Sequence, residues 1–256
     1  MIKNFITALQ FLTIFRVRKI HDIAENDLAR SMVYFPFIGF LIGFILVNAD
    51  KAMALVAIPQ AVSSFLVIVL GVLVTRALHV DGLADTCDGL MGGHDHASRL
   101  AIMKDSRLGT AGAIGIVSVL IMKYLCLNNL YEIERVAALL TAPALGRWSQ
   151  MFMVFKSDYG RENGMGRAFV GHLRSSGLTA ATVLAAGLSA FVVVRLDLRS
   201  VLLCVSLLGS VLVLTLIGKR YLAAKLGGVT GDSIGAMNEM SEVLVFFIFV
   251  IFSSGN

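Results

Sequence analysis

The chain has 256 residues, of which 57% are hydrophobic and 15% charged, and its mean hydropathy is +0.82. A soluble domain is nearer about 45–50% apolar, so the composition excludes an ordinary soluble protein and defines a polytopic membrane protein. The net charge of +5 fits basic cytoplasmic loops, and no basic segment interleaved with aromatics argues for nucleic acid.

In chain order, Ile2, Phe5, Ile6, Leu9 and Leu12 recur at helical spacing, which predicts an amphipathic interfacial helix over 2–15. The segment lacks the small-residue cleavage site of a signal peptide. About 20 apolar residues cross a bilayer core, and such runs fall at 31–49, 57–78, 109–127, 136–155, 177–195, 199–217 and 233–253, the last interrupted by Glu239 and Glu242. No alternation runs long enough for a membrane β-barrel. The expected fold is all-α: a polytopic helical bundle of about seven transmembrane helices plus the interfacial helix, as one membrane domain over 1–256. Cys87, Cys126 and Cys204 are odd in number and far apart, which argues against a disulfide framework or a zinc site.

Seven crossings put Lys3, Arg16, Arg18, Lys19, Arg30, Arg76, Arg99, Lys104, Arg107, Lys156, Arg161, Arg167, Arg174, Lys219, Arg220 and Lys225 on the side of the N-terminus. Lys51, Arg135, Arg195 and Arg199 fall on the other, a ratio of 16 to 4. The positive-inside rule then places the N-terminus in the cytoplasm and the C-terminus outside.

The second span closes in His79-Val80-Asp81-Gly82-Leu83-Ala84-Asp85-Thr86-Cys87-Asp88-Gly89. Spaced i, i+4, i+7, Asp81, Asp85 and Asp88 share a helical stripe roughly 60° wide. Such carboxylates repel one another unless a cation lies between them, and hard oxygen ligands suit Mg²⁺; a solvated helix end carrying spare charge would look similar. Gly82 weakens the helix and is accounted for by close approach of a ligand or a neighbouring helix, or by an earlier turn. The next segment, Gly92-Gly93-His94-Asp95-His96, reads as a flexible solvated loop, the other reading being His94 and His96 as metal ligands. Within the acidic motif at 79–109, Lys104 and Arg107 flank Asp105; the group is either a phosphate grip or a surface Asp–Arg pair.

Arg147 lies inside the fourth span and needs a partner or a wet cavity; Glu239, Glu242 or a substrate would serve. The loop 156–167 holds glycines with Arg161, a pattern that cradles anions and that an ordinary basic loop shares. The second acidic motif, 227–242, runs glycines into a helix start bearing Asp232, Glu239 and Glu242. Asp232 is either a helix cap or part of a site shared with the first motif. Together these features imply chemistry on a phosphate or diphosphate at the cytoplasmic mouth of a helical bundle.

The motifs resemble the cobalamin synthase family, the adenosylcobinamide-GDP ribazoletransferases. Segments 34–39, 79–89, 103–109, 161–166 and 227–236, with Glu239 and Glu242, carry the resemblance in order along nearly the whole chain. It implies an Mg²⁺-dependent enzyme of the bacterial inner membrane that transfers a substituted phosphate group in the late nucleotide-loop step of vitamin B12 synthesis. A hydroxyl of α-ribazole or of its 5′-phosphate attacks adenosylcobinamide-GDP, GMP leaves, and adenosylcobalamin or its 5′-phosphate forms. The resemblance makes Asp81, Asp85, Asp88 and Asp232 metal ligands and Asp105 the candidate base. Lys104, Arg107 and Arg161 hold the diphosphate, with Arg147, Glu239 and Glu242 assigned to substrate binding. The partners implied are these substrates and the lipid bilayer, with no nucleic acid; a homo-oligomer is compatible with the sequence. Two other readings are an intramembrane prenyltransferase, whose first motif usually starts with Asn-Asp, absent here, and an ion transporter, which tends to show an internal inverted repeat not seen here.

Overall fold

The computed structural model describes residues 2–17, 25–194 and 200–254. Arg18, Lys19, Arg195, Arg199 and the C-terminal Asn256 lie outside the described residues. The helices are α1 (Ile2–Leu12), α2 (Glu25–Ser31), α3 (Phe35–Leu55), α4 (Gln60–Val74), α5 (Leu78–Gly92), α6 (His96–Ile102), α7 (Thr110–Asn128), α8 (Glu132–Val154), α9 (Ser175–Val193), α10 (Ser200–Leu226) and α11 (Gly231–Ser254). Among the described residues there is no strand, only an isolated bridge between Tyr159 and Val229. The all-α, polytopic expectation holds.

The span count differs from the expected seven. Five helical segments are individually long and apolar enough to cross a membrane, and a sixth span is obtained if α4 and α5 are taken together. The remaining expected span, α8, is a 23-residue helix that carries Thr141, Arg147, Ser149 and Gln150 buried along its length. It is too polar to read as lipid-facing because it does not face lipid: α3, α9, α10 and α11 pack around it.

Small residues allow that packing. A side chain at Gly39 or Gly43 on α3 would run into the Pro143 or Leu139 carbonyl of α8. Pro143 has no N–H, which leaves the Leu139 carbonyl without its usual helical donor, and Gly43 closes over it.

The run expected to continue over 57–78 is broken. α4 ends at Val74, and α5 sets off at 88° to it. Thr75 folds its hydroxyl back on the Gly71 and Val72 carbonyls at 3.0 and 3.1 Å, and Arg76 and Ala77 take φ of 54° and 55°. Two successive non-glycine residues in the left-handed region are uncommon, and they turn the acidic stripe away from the α4 axis toward α11. α1 is tied to this joint. It ends at Leu12 rather than near 15 because Thr13 donates to the Leu9 carbonyl at 2.6 Å, while the Ile14 N–H leaves the helix for the Val74 carbonyl at 2.8 Å. Arg76 then donates to the exposed end carbonyls of Gln10 and Phe11 at 3.3 and 3.2 Å, satisfying groups that a helix terminus leaves open.

The loop expected over 92–96 is shorter: residues 93–95 connect α5 to α6, with His94 and Asp95 exposed, and His96 already starts α6, whose capping box pairs Asp95 with Ser98. The His96 ring nitrogen Nε2 lies 3.0 Å from the Ala224 carbonyl, which ties α6 to α10. α10 itself continues past the expected end at 217, so that Lys219 can donate to the Phe152 and Phe155 carbonyls at 3.1 and 2.5 Å, at the C-terminal end of α8.

Candidate active site

The acidic stripe of α5 faces the first turn of α11. A Cβ on Gly82 would come within 2.8 Å of the Asp232 carbonyl oxygen, and one on Gly235 within 3.2 Å of the His79 Cα. The two glycines let the helices touch backbone to backbone, which brings the first acidic motif beside Asp232. Asp85 lies in the field of Asp232, Asp81 and Asp88, with Arg161 the opposing charge.

Arg161 reaches this point from the loop between α8 and α9. Gly160 donates to the Val229 carbonyl and Val229 to the Asp158 carbonyl, both at 2.9 Å, pinning the loop to the turn before α11. The Arg161 guanidinium then stands 2.5 Å from Asp232 Oδ2 and 3.5 Å from the Met103 carbonyl. Burial pushes the neighbouring Tyr159 phenol up from its usual range, against the smaller opposing effect of Arg161 and the backbone N–H groups of Gly231 and Gly166.

Asp88 has a second attachment. Its Oδ2 accepts from the Gly109 N–H and its Oδ1 from the Gly112 N–H, each at 2.8 Å. These are free donors at the N-terminus of α7, so Asp88 bolts α5 to α7 while each oxygen keeps a further lone pair.

The segment after α6 is laid over the same end of the bundle but stays in solvent. Lys104, Asp105 and Arg107 are exposed. Asp105 is held by Arg107 through Nη2 at 2.6 Å and Nε at 3.1 Å. The Arg107 side chain, and then its backbone N–H, hold the Asp105 carboxyl down at about 2.

Arg147, Glu239 and Glu242 are not gathered with the aspartates. They lie deeper, in a buried network that includes Lys123, a lysine within the expected 109–127 span. Its ammonium donates to Glu239 at 2.7 Å and Glu242 at 2.6 Å, and Arg147 also pairs with Glu242. Asn238 donates to Glu242 at 3.0 Å. His79 joins the two layers, with Arg147 Nη2 at 3.3 Å from its Nδ1 and Gln150 Nε2 at 2.8 Å from its Nε2. His79 and Gln150 were missed as site residues. The available signal was a lysine inside an apolar span together with two acids in another, each needing a partner away from lipid.

A cavity of about 320 Å³ opens where these elements meet; Asp81, Asp232, Arg161, His79 and Gln150 line it, while Lys104, Asp105 and Arg107 do not. Among the described residues no three His, Cys, Asp or Glu side chains form a ready-made metal cage. The donor set still suits a hard cation, being all carboxylate oxygen. Mg²⁺ keeps several waters and takes one or two carboxylates plus substrate phosphate oxygens rather than a full protein cage. Asp81 and Asp232 line the cavity and Asp85 lies in their field, so a pair of these carboxylates fits that requirement.

Fold and site together define a helical integral membrane protein with an acidic and cationic pocket at one end of the bundle. The family model described as cobalamin-5-phosphate synthase matches residues 4–250. An adenosylcobinamide-GDP ribazoletransferase of Geotalea daltonii is 36% identical over 250 residues, covering 98% of both chains. Proteins of the same name from Thermoanaerobacter pseudethanolicus and Clostridioides difficile are 35% and 33% identical, each over 97% of this chain and over 97% and 96% of their own. No solved structure matches the chain significantly. The chain belongs to the cobalamin-5-phosphate synthase family, and with it to the transferases that assemble the nucleotide loop of cobalamin.

Proposed function

We propose that the protein joins adenosylcobinamide-GDP to α-ribazole or α-ribazole 5′-phosphate. A hydroxyl oxygen of the riboside bonds to the phosphorus bearing the cobinamide, the diphosphate P–O bond breaks, and GMP leaves with its phosphate. The names of the relatives supply the substrates. The observation that carries the reading is the convergence of Arg161, Asp232 and Asp81 on one cavity, with Asp85 in their field.

In this reading Arg161, Lys104 and Arg107 grip the diphosphate. Mg²⁺ held by Asp81, Asp85 and Asp232, with Asp88 beside them, would neutralise charge that develops on the phosphoryl oxygens. Asp105, which lies outside the cavity, takes the proton of the attacking hydroxyl once the exposed 103–109 segment closes on the bound diphosphate. With its carboxyl held at about 2 it is a poor base, so it serves only once the Arg107 fork has turned from it to the diphosphate. Arg147, Glu239 and Glu242 act at a distance through His79.

The test is release of GMP by purified protein in lipid nanodiscs. GMP is expected to appear only when both adenosylcobinamide-GDP and a ribazole are present. EDTA should abolish release and Mg²⁺ restore it. Full turnover in EDTA would remove the metal from this account.

The site faces the cytoplasm of a bacterial inner membrane in this reading. The basic excess supports it, as does the grouping of the 93–109, 155–174 and 227–230 segments at one end of the bundle. If α8 crosses inside the bundle as a seventh span beside the six apolar ones, a periplasm-active reporter fused after Asn256 is expected to be active. Activity of a cytoplasmic reporter there instead would mean an even number of crossings.

A further inference from the structure

The cavity has two chemically different ends. Asp81, Asp232 and Arg161 form one; Phe11, Met32, Phe35 and Phe169 form the other. The three aromatic rings come from α1, the start of α3 and the segment after Gly166, and they pack on one another. Phe11 and Phe35 are stacked at 6.1 Å and 14°, and Phe169 meets them edge-on at 5.0 and 5.9 Å. Phe35, Met32 and Phe169 are buried and Phe11 is half-buried, yet all four border open volume. A binding site with a charged end and an aromatic end fits a ligand built the same way.

We infer that the aromatic end is the subsite for the flat bicyclic base of the acceptor riboside, held so that its ribose hydroxyls point to the Asp81–Asp232 end. This inference rests on the ribazole-transfer reading above. The reaction brings two aromatic bases, and the wall discriminates between them. Guanine, on the donor, carries an exocyclic amine, a carbonyl and a ring N–H, each of which would lose water without a partner against three phenylalanines and a methionine. The base of ribazole is a dimethylated benzimidazole, with only C–H and methyl groups along its outer rim. It stacks on phenyl rings without stranding a polar group. Gln150 also lines the cavity and can meet the ribose. At about 320 Å³ the cavity is at the small end of ligand pockets, roughly 300–1,000 Å³. That volume suits one riboside and excludes a corrin ring.

Steady-state kinetics of Phe169→Leu and Phe11→Leu in nanodiscs, with donor and acceptor varied separately, test the inference. Leucine keeps the apolar volume and removes the flat face. The KM for ribazole is expected to rise about tenfold, with the KM for adenosylcobinamide-GDP and kcat unchanged. A rise in the donor KM alone would overturn the assignment, and so would no change in either KM. A photoactivatable benzimidazole riboside provides a readout on the unaltered protein. It should label peptides containing Phe11 or Phe169, with protection by ribazole and none by GMP; labelling confined to other peptides would overturn the assignment. Labelling needs no turnover. A protein that labels as expected but releases no GMP would therefore sink the transfer reading and leave the subsite standing.

Discussion

Asp85→Asn is expected to lower turnover by at least about a hundredfold, the scale on which removing one preorganised charge from a reacting centre acts, while the protein remains inserted and folded. Asp85 lies between Asp81 and Asp88 on the α5 stripe and in the field of Asp232. Asparagine keeps its shape and removes one of the repelling charges. On its own that change relieves the site, so thermal stability should hold or rise as activity collapses. GMP release and a melting curve on the same preparation check both halves. Near-normal turnover would reduce the stripe to a charged helix end.

Lys123→Met is expected to act the other way, on the fold. The ammonium lies between Glu239 and Glu242, with side-chain exposures of 8%, 5% and 11%. Removing it leaves two buried carboxylates with Arg147 as their counter-charge. Breaking a buried pair from one side costs about 3–5 kcal/mol, which should appear as a clear fall in Tm in detergent. Adding Glu239→Gln to Lys123→Met should recover much of the loss, because it removes the stranded charge. An unaltered Tm in the single variant would mean that these charges do not fasten α7 to α11.

The sequence made the helices legible where lipid imposes length and apolarity, as in α3, α7, α9, α10 and α11. α8 was legible as an element although its polar face is paired inside the bundle. The joint after α4 was not legible, since neither Arg76 nor Ala77 announces a left-handed conformation as glycine would. The start of α6 could have been read from Asp95 and Ser98, an N-cap three residues before its partner. At the site, the three aspartates and Gly82 were visible as a pattern, and the contact of Gly82 with α11 gives its reason. The approach of Arg161 to Asp232 depends on hydrogen bonds between Gly160, Val229 and Asp158, which no spacing rule encodes. Asp105 and Arg107 form the surface pair that the sequence offered as one of two readings, and a grip on phosphate requires that pair to open.

The meeting of Gly82 with the Asp232 carbonyl also fixes a tolerance. Where two helices are kept apart by long side chains, rotamer changes let the gap breathe. Here the spacer is a hydrogen atom, and the neighbouring surface is a peptide group with nowhere to swing. The gauge between the two acid-bearing helices is thus set by the main chain, independently of which acids they carry. The charges at this end of the bundle can be exchanged one at a time without resetting the span between them, whereas a single methyl at position 82 would shift that span for all of them at once.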